Sequence, residues 1–149
     1  MLRVAQIEGL LRLLGAPRKY KVLDGMSTSP FIVVYADDEA DVRDTVAEML
    51  RAAGLLVHAC GDGMEAIRIC GEISANALLL DLNMPGMDGF AVAREIRGNP
   101  ATARLRIVAL TGRSTWDMRF RALDAGFDEF VVKPIGVERL VAVLCGNSR

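Results

Sequence analysis

From Pro30 onward, apolar runs of strand length alternate with segments of helical spacing. The runs are residues 31–36, 55–59, 77–80, 105–110 and 128–132, and several, such as Leu78-Leu79-Leu80, are apolar throughout. A strand exposed on one face alternates polar with apolar residues, whereas one covered on both faces does not, so these runs predict a parallel sheet between helices. In the segment 40–53, Val42, Val46, Met49, Leu50 and Ala53 share one helical face, and Gly54 is the stop. The last helix begins near Gly136 and carries the stripe Val137, Leu140, Val141 and Leu144. Segments 63–73, 88–97 and 114–125 fill the other helical slots. The predicted fold is α/β: an open, doubly wound five-stranded parallel sheet with helices on both faces and right-handed crossovers.

The first residues follow a different pattern. Val4, Ile7, Leu11 and Leu14 keep helical spacing until Gly15 and Pro17, while Met26-Ser27-Thr28-Ser29-Pro30 resembles a natural chain start. The expected organisation is an N-terminal extension, 1–29, before a single domain, 30–147. The extension admits three readings: a tag, an upstream start, or a docking or dimerising helix.

Composition narrows the function. With 149 residues and 52% hydrophobic side chains, the chain can bury a core and is not disordered. No apolar run approaches the roughly 20 residues of a membrane helix, and residues 1–25 lack a signal-peptide cleavage pattern, so no membrane association and a cytoplasmic location are expected. Cys60, Cys70 and Cys145 stand at unrelated spacings, and His58 is the only histidine; neither set suits zinc or redox chemistry. Residues 1–25 carry a net charge of +3 and residues 26–149 a net −4, so direct nucleic-acid binding is not expected of the main body.

The candidate chemistry lies at the predicted strand ends. Asp37-Asp38 follows the first strand, Asp81 the third, Thr111 the fourth and Lys133-Pro134 the fifth. Carboxyl ends of parallel strands face one crevice, which brings these residues together. Three carboxylates there repel one another unless a cation compensates, and a hard divalent ion such as Mg2+ suits oxygen ligands. Asp81, between an apolar strand and the tight loop holding Pro85 and Gly86, is placed as an aspartyl-phosphate nucleophile. Thr111 and Lys133 suit contacts with phosphoryl oxygens. Lys133 is the sole lysine after Lys21, which marks a need for a compact point charge. Pro134 is a candidate for a cis peptide.

In order and spacing, these motifs from about Pro30 to Gly146 resemble the receiver domain of two-component response regulators, in the stand-alone, chemotaxis-regulator-like form. The resemblance implies a flavodoxin-like fold with Asp81 as phosphoacceptor and Asp37 and Asp38 as the acid pair holding Mg2+ beside Asp81. It also implies Asn83 as a metal ligand through its backbone carbonyl, Thr111 as switch hydroxyl, Lys133 as phosphate-binding lysine and Phe130 as the mobile aromatic. Two positions depart from the commonest pattern. Gly112 stands where alanine is frequent, and Phe130 lacks a tyrosine hydroxyl, so the switch is expected to work by ring burial.

Two other readings compete with this one. Some relatives keep the fold as phosphorylation-independent pseudo-receivers, but here acceptor, acid pair, threonine and lysine are all present. Haloacid-dehalogenase-like phosphatases also form an aspartyl phosphate with magnesium, yet they need a second aspartate where this chain has Asn83. The resemblance therefore implies a regulator that catalyses only its own phosphorylation and dephosphorylation. Its implied partners are a sensor histidine kinase or histidine phosphotransfer protein and a downstream target protein. A homodimer through the fourth helix, fifth strand and fifth helix is a further expectation. With the sequence ending at Arg149, output by protein contact is expected, as a free-standing regulator, a phosphorelay shuttle or a receiver cut from a larger kinase.

Overall fold

Each apolar run becomes a strand and each periodic segment a helix in the computed structural model, which describes residues 30–146. The three readings of the N-terminal extension fall outside the described residues. The elements are β1 (Ile32–Ala36), α1 (Ala40–Ala52), β2 (Leu56–Cys60), α2 (Gly63–Glu72), β3 (Ala77–Asp81), α3 (Gly89–Gly98), β4 (Arg106–Thr111), α4 (Trp116–Ala125), β5 (Glu129–Val132) and α5 (Val137–Leu144).

All strand pairs are parallel, in the order β2-β1-β3-β4-β5. This is the flavodoxin-like order, in which the chain reverses its direction of travel between β1 and β3. A crevice opens at that reversal because successive connections leave on opposite faces. Asp37 and Asp81 stand at its two sides.

The two faces of the sheet carry separate cores. On one, Val34, Ala36, Leu78, Leu80, Ile107 and Ala109 pack under α2, α3 and α4. On the other, Val33, Tyr35, Leu79, Val108, Leu110 and Val131 pack under α1 and α5. Central strand β3 is buried at every residue, whereas edge strand β2 alternates and leaves Leu56 and His58 exposed. One helical face differs from expectation: Met49 is 41% exposed, and Ala47 takes the buried place beside Leu50 and Ala53. Met49 lies at the margin of the stripe, where a flexible side chain reaches solvent. All three cysteines are free and buried.

Helix ends follow local chemistry. Asp62, Asp88 and Thr115 accept main-chain N–H bonds at the starts of α2, α3 and α4. Beyond α1, Gly54 has φ +97°, and Gly126 caps α4 with φ +100°, a left-handed turn that glycine makes without a Cβ penalty. The start of α1 is the exception: Glu39 makes no side-chain cap bond. Its own backbone N–H instead donates to Asp37 Oδ1 at 3.0 Å.

Candidate functional site

Asp37 follows β1 directly and is wholly buried. Its Oδ1 accepts the Glu39 N–H (3.0 Å), and its Oδ2 accepts the Tyr35 hydroxyl (2.7 Å). Its backbone carbonyl accepts Arg43 Nη1 at 2.9 Å, which fixes the β1–α1 loop from outside. Asp81 ends β3 at 3% exposure, and its Oδ1 accepts the Asn83 N–H at 2.8 Å. Asp38 is exposed at the rim. One carboxylate oxygen from each of Asp37, Asp38 and Asp81 lies within 4.8 Å of the others.

Lys133 enters from just past β5. Its backbone N–H bonds Thr111 O (2.7 Å), and its ammonium reaches Asp81 Oδ2 at 3.0 Å and Asp37 Oδ2 at 3.4 Å. The Lys133–Pro134 peptide is cis.

The electrostatics reflect three acids against one ammonium. Burial pushes the Asp81 carboxyl above its usual range, against the Asn83 N–H and Lys133, and repulsion from Asp37 adds to the rise. Burial opposes the Lys133 charge, but the hydrogen bond and charge of Asp81, followed by the charge of Asp37, outweigh it and hold the ammonium above an ordinary lysine. For Tyr35, burial and then the Asp37 bond drive the phenol well above its normal value, so its hydroxyl stays a donor. A second cation fits this balance. The donor set is all oxygen, as Mg2+ requires, and the acids are close enough to share one ion.

The other expected residues are placed as follows. Asn83 is exposed in the loop after Asp81, and a Cβ on Gly112 would meet its amide at 3.4 Å, so an alanine would fit there at ordinary contact. Thr111 is buried at the end of β4, but its hydroxyl is engaged with its own loop, donating to Arg113 O (3.0 Å) and accepting from Arg113 N (3.2 Å). Phe130, half-buried in β5, lies under the Arg119 guanidinium of α4 at 5.1 Å from its ring centre. Asp37, Asp38, Asp81 and Lys133 therefore meet in one crevice, with Asn83 beside it, while the Thr111 hydroxyl and Phe130 engage α4 and its preceding loop.

Two contributors were not anticipated from sequence. Arg43 carries a usable signal, being a cation one turn into the helix that follows the acid pair. Tyr35 reads simply as a strand aromatic, and nothing in its spacing shows where its hydroxyl goes.

Comparison with known proteins identifies the family. The profile described as the response regulator receiver domain matches residues 33–145. The Transcriptional regulatory protein PrrA of Mycobacterium tuberculosis is 37% identical over 120 residues, covering 80% of this chain and 50% of its own. The Response regulator MprA of the same species is 36% identical over 110 residues, covering 74% of this chain and 47% of its own. The chain thus spans about half the length of these curated relatives.

Among solved structures, chemotaxis protein CheY4 of Vibrio cholerae superposes with a TM-score of 0.74 at 27% identity, over 78% of this chain and 97% of that one. The receiver domain of sensor histidine kinase PA1611 of Pseudomonas aeruginosa PAO1 gives 0.71 at 28% identity, over 78% and 95%. That structure has a magnesium ion coordinated in its active site cleft. Since the profile match runs from the second residue of β1 to the residue that caps α5, it reaches all five strands, and the chain belongs to the family of response regulator receiver domains.

Proposed function

We propose that residues 30–147 form a phosphoacceptor signalling domain that takes a phosphoryl group onto Asp81 from a phosphohistidine. The donor is a sensor histidine kinase or a histidine phosphotransfer protein. The observation carrying this reading is the meeting of Asp37, Asp38 and Asp81 with the Lys133 ammonium at the β1/β3 reversal.

In the transfer, an Asp81 carboxylate oxygen attacks phosphorus and an O–P bond forms. The N–P bond of the donor breaks, and its electron pair leaves with the imidazole, which takes up a proton from solvent. Phosphoryl transfer asks mainly for positioning and charge neutralisation. The Asn83 N–H orients Asp81, and Lys133 stands ready to pair with the incoming dianion. Asp37, Asp38, Asp81 and the Asn83 carbonyl would hold Mg2+, which when bound neutralises charge on the transferring oxygens.

The output reading follows from the second half of the site. Exchange of the Thr111 hydroxyl from Arg113 to the phosphoryl group would draw in the β4–α4 loop and free space for the Phe130 ring. That movement would reshape the face formed by α4, β5 and α5, where Trp116, Phe120 and Leu123 are already exposed. A downstream target protein or a second copy of the chain is the occupant we assign to this face. The expectation against direct nucleic-acid contact applies to residues 26–149, with their net −4 charge, and not to whatever accompanies such a domain in a longer relative called a transcriptional regulatory protein. Among the described residues no helix is long and apolar enough to cross a membrane.

The test is transfer from a radiolabelled phosphohistidine protein. Label should pass to the natural chain and not to Asp81→Asn. Equal labelling of the variant would refute the assignment.

A further inference from the structure

Tyr35 is wholly buried on the face of the sheet covered by α1 and α5, yet it ends in a hydroxyl. Side chains two apart on a strand share a face, so Tyr35 and Asp37 lie in adjacent rows of the same side. Leu79 pairs with Tyr35 in register, and Asp81 stands two beyond Leu79, one row above. The ring has room because its partner on β2 is Ala59. The phenol thus fills the row beneath the acid cluster and places its hydroxyl 2.7 Å from Asp37 Oδ2.

Packing alone does not ask for that hydroxyl. A phenylalanine fills nearly the same volume, and a buried hydroxyl is a liability unless it finds an acceptor. Asp37 Oδ1 is held by the Glu39 N–H (3.0 Å) and Oδ2 by the Tyr35 hydroxyl (2.7 Å), with the Lys133 ammonium farther off at 3.4 Å, so the shortest bond to each oxygen comes from a neutral donor. A neutral donor orients a carboxylate without cancelling the charge that attracts a cation. A lysine in its place would do both.

We propose that Tyr35 is a positioning residue for the divalent cation, locking Asp37 in the rotamer that faces the crevice. The inference rests on reading Asp37, Asp38 and Asp81 as a Mg2+ site. Partners of this kind, one shell removed from a metal, change affinity by about tenfold or more when lost.

The test is a calorimetric titration with magnesium chloride of the natural chain, Tyr35→Phe and Arg97→Ala, a control whose contacts lie at the far end of the sheet. Tyr35→Phe should weaken magnesium binding by about tenfold, while Arg97→Ala should lower the thermal midpoint and leave magnesium affinity unchanged. If Tyr35→Phe keeps the natural affinity, the Tyr35 inference fails and the metal site stands. If the natural chain binds no magnesium, the site reading fails and takes the inference with it. Should Tyr35→Phe not fold, the Tyr20→Phe variant leaves Tyr35 as the sole tyrosine for carbon-13 NMR. Its hydroxyl-bearing carbon should then shift with magnesium and saturate at the calorimetric constant; an unmoved signal would overturn the proposal.

Discussion

Lys133 Nζ stands 3.0 Å from Asp81 Oδ2, although 52 positions separate them in the chain. Sheet order makes the contact: Lys133 follows β5, its backbone is tied to the end of β4 through Thr111 O, and its side chain crosses β4 to reach β3. The crevice thus carries an ammonium against its two buried carboxylates.

In the proposed Mg2+ site Lys133 would compete with the metal for the same carboxylates, since two cations over one acid cluster repel. Lys133→Met should therefore bind magnesium severalfold more tightly by calorimetry, because a unit charge about 4 Å away is worth about 1 kcal/mol where water screens it, as at this part-exposed lysine. The same variant should accept phosphoryl groups from acetyl phosphate at least tenfold more slowly. Lys133→Arg should not restore the rate, because a planar fork does not replace a compact ammonium.

Magnesium should stabilise the fold. At a concentration tenfold above its dissociation constant the gain is about 1.4 kcal/mol, read as a rise in the urea midpoint. Asp37→Asn should abolish the gain. Without divalent ions, Asp81→Asn should be at least as stable as the natural chain, because it removes a buried charge that Asp37 repels.

Under the proposed function, Thr111 should separate chemistry from switching. Thr111→Ala should lose about 1 kcal/mol from its two bonds to Arg113 and still gain a phosphoryl group on Asp81. Trp116 opens α4 and is 80% exposed, so its fluorescence reports on that loop. Magnesium with beryllofluoride should change Trp116 emission in the natural chain and in Thr111→Ser, and leave it unchanged in Thr111→Ala.

Alkali should weaken the fold through its thiols. Burial pushes Cys60 up to about 12 and Cys70 and Cys145 up to about 11, from a usual 9.0. The folded chain holds these protons after the unfolded chain has released them. Stability is therefore full below about pH 9 and falls as pH rises toward 11 to 12. Urea midpoints across that range should decline less steeply in Cys70→Ala, since one such proton is removed.

How far the sequence could be read depends on the kind of interaction. Continuous apolar runs such as Leu78-Leu79-Leu80 mark strands buried on both faces, and strand ends in a parallel sheet converge, so Asp37, Asp81 and Lys133 were legible as one site. Periodicity gives a face, not its margin, which is why Met49 was placed inside. Hydroxyl partners were not legible: spacing puts Thr111 at the strand end but cannot show that it bonds Arg113, nor that Tyr35 reaches Asp37. Arg97 was equally silent, although it bonds the carbonyls of Ala103, Leu105 and Gly126 together with Asp128 at the far end of the sheet. Such contacts join residues that only the finished fold brings together.

The central claim is that Asp81 is a magnesium-dependent phosphoacceptor, and intact-mass spectrometry after incubation with acetyl phosphate tests it most directly. The account expects one added phosphoryl group on the natural chain with magnesium, and none with a chelator or in Asp81→Asn. A chain that gains no phosphoryl group from either acetyl phosphate or a phosphohistidine donor, or an Asp81→Asn variant that gains one as readily, would contradict it.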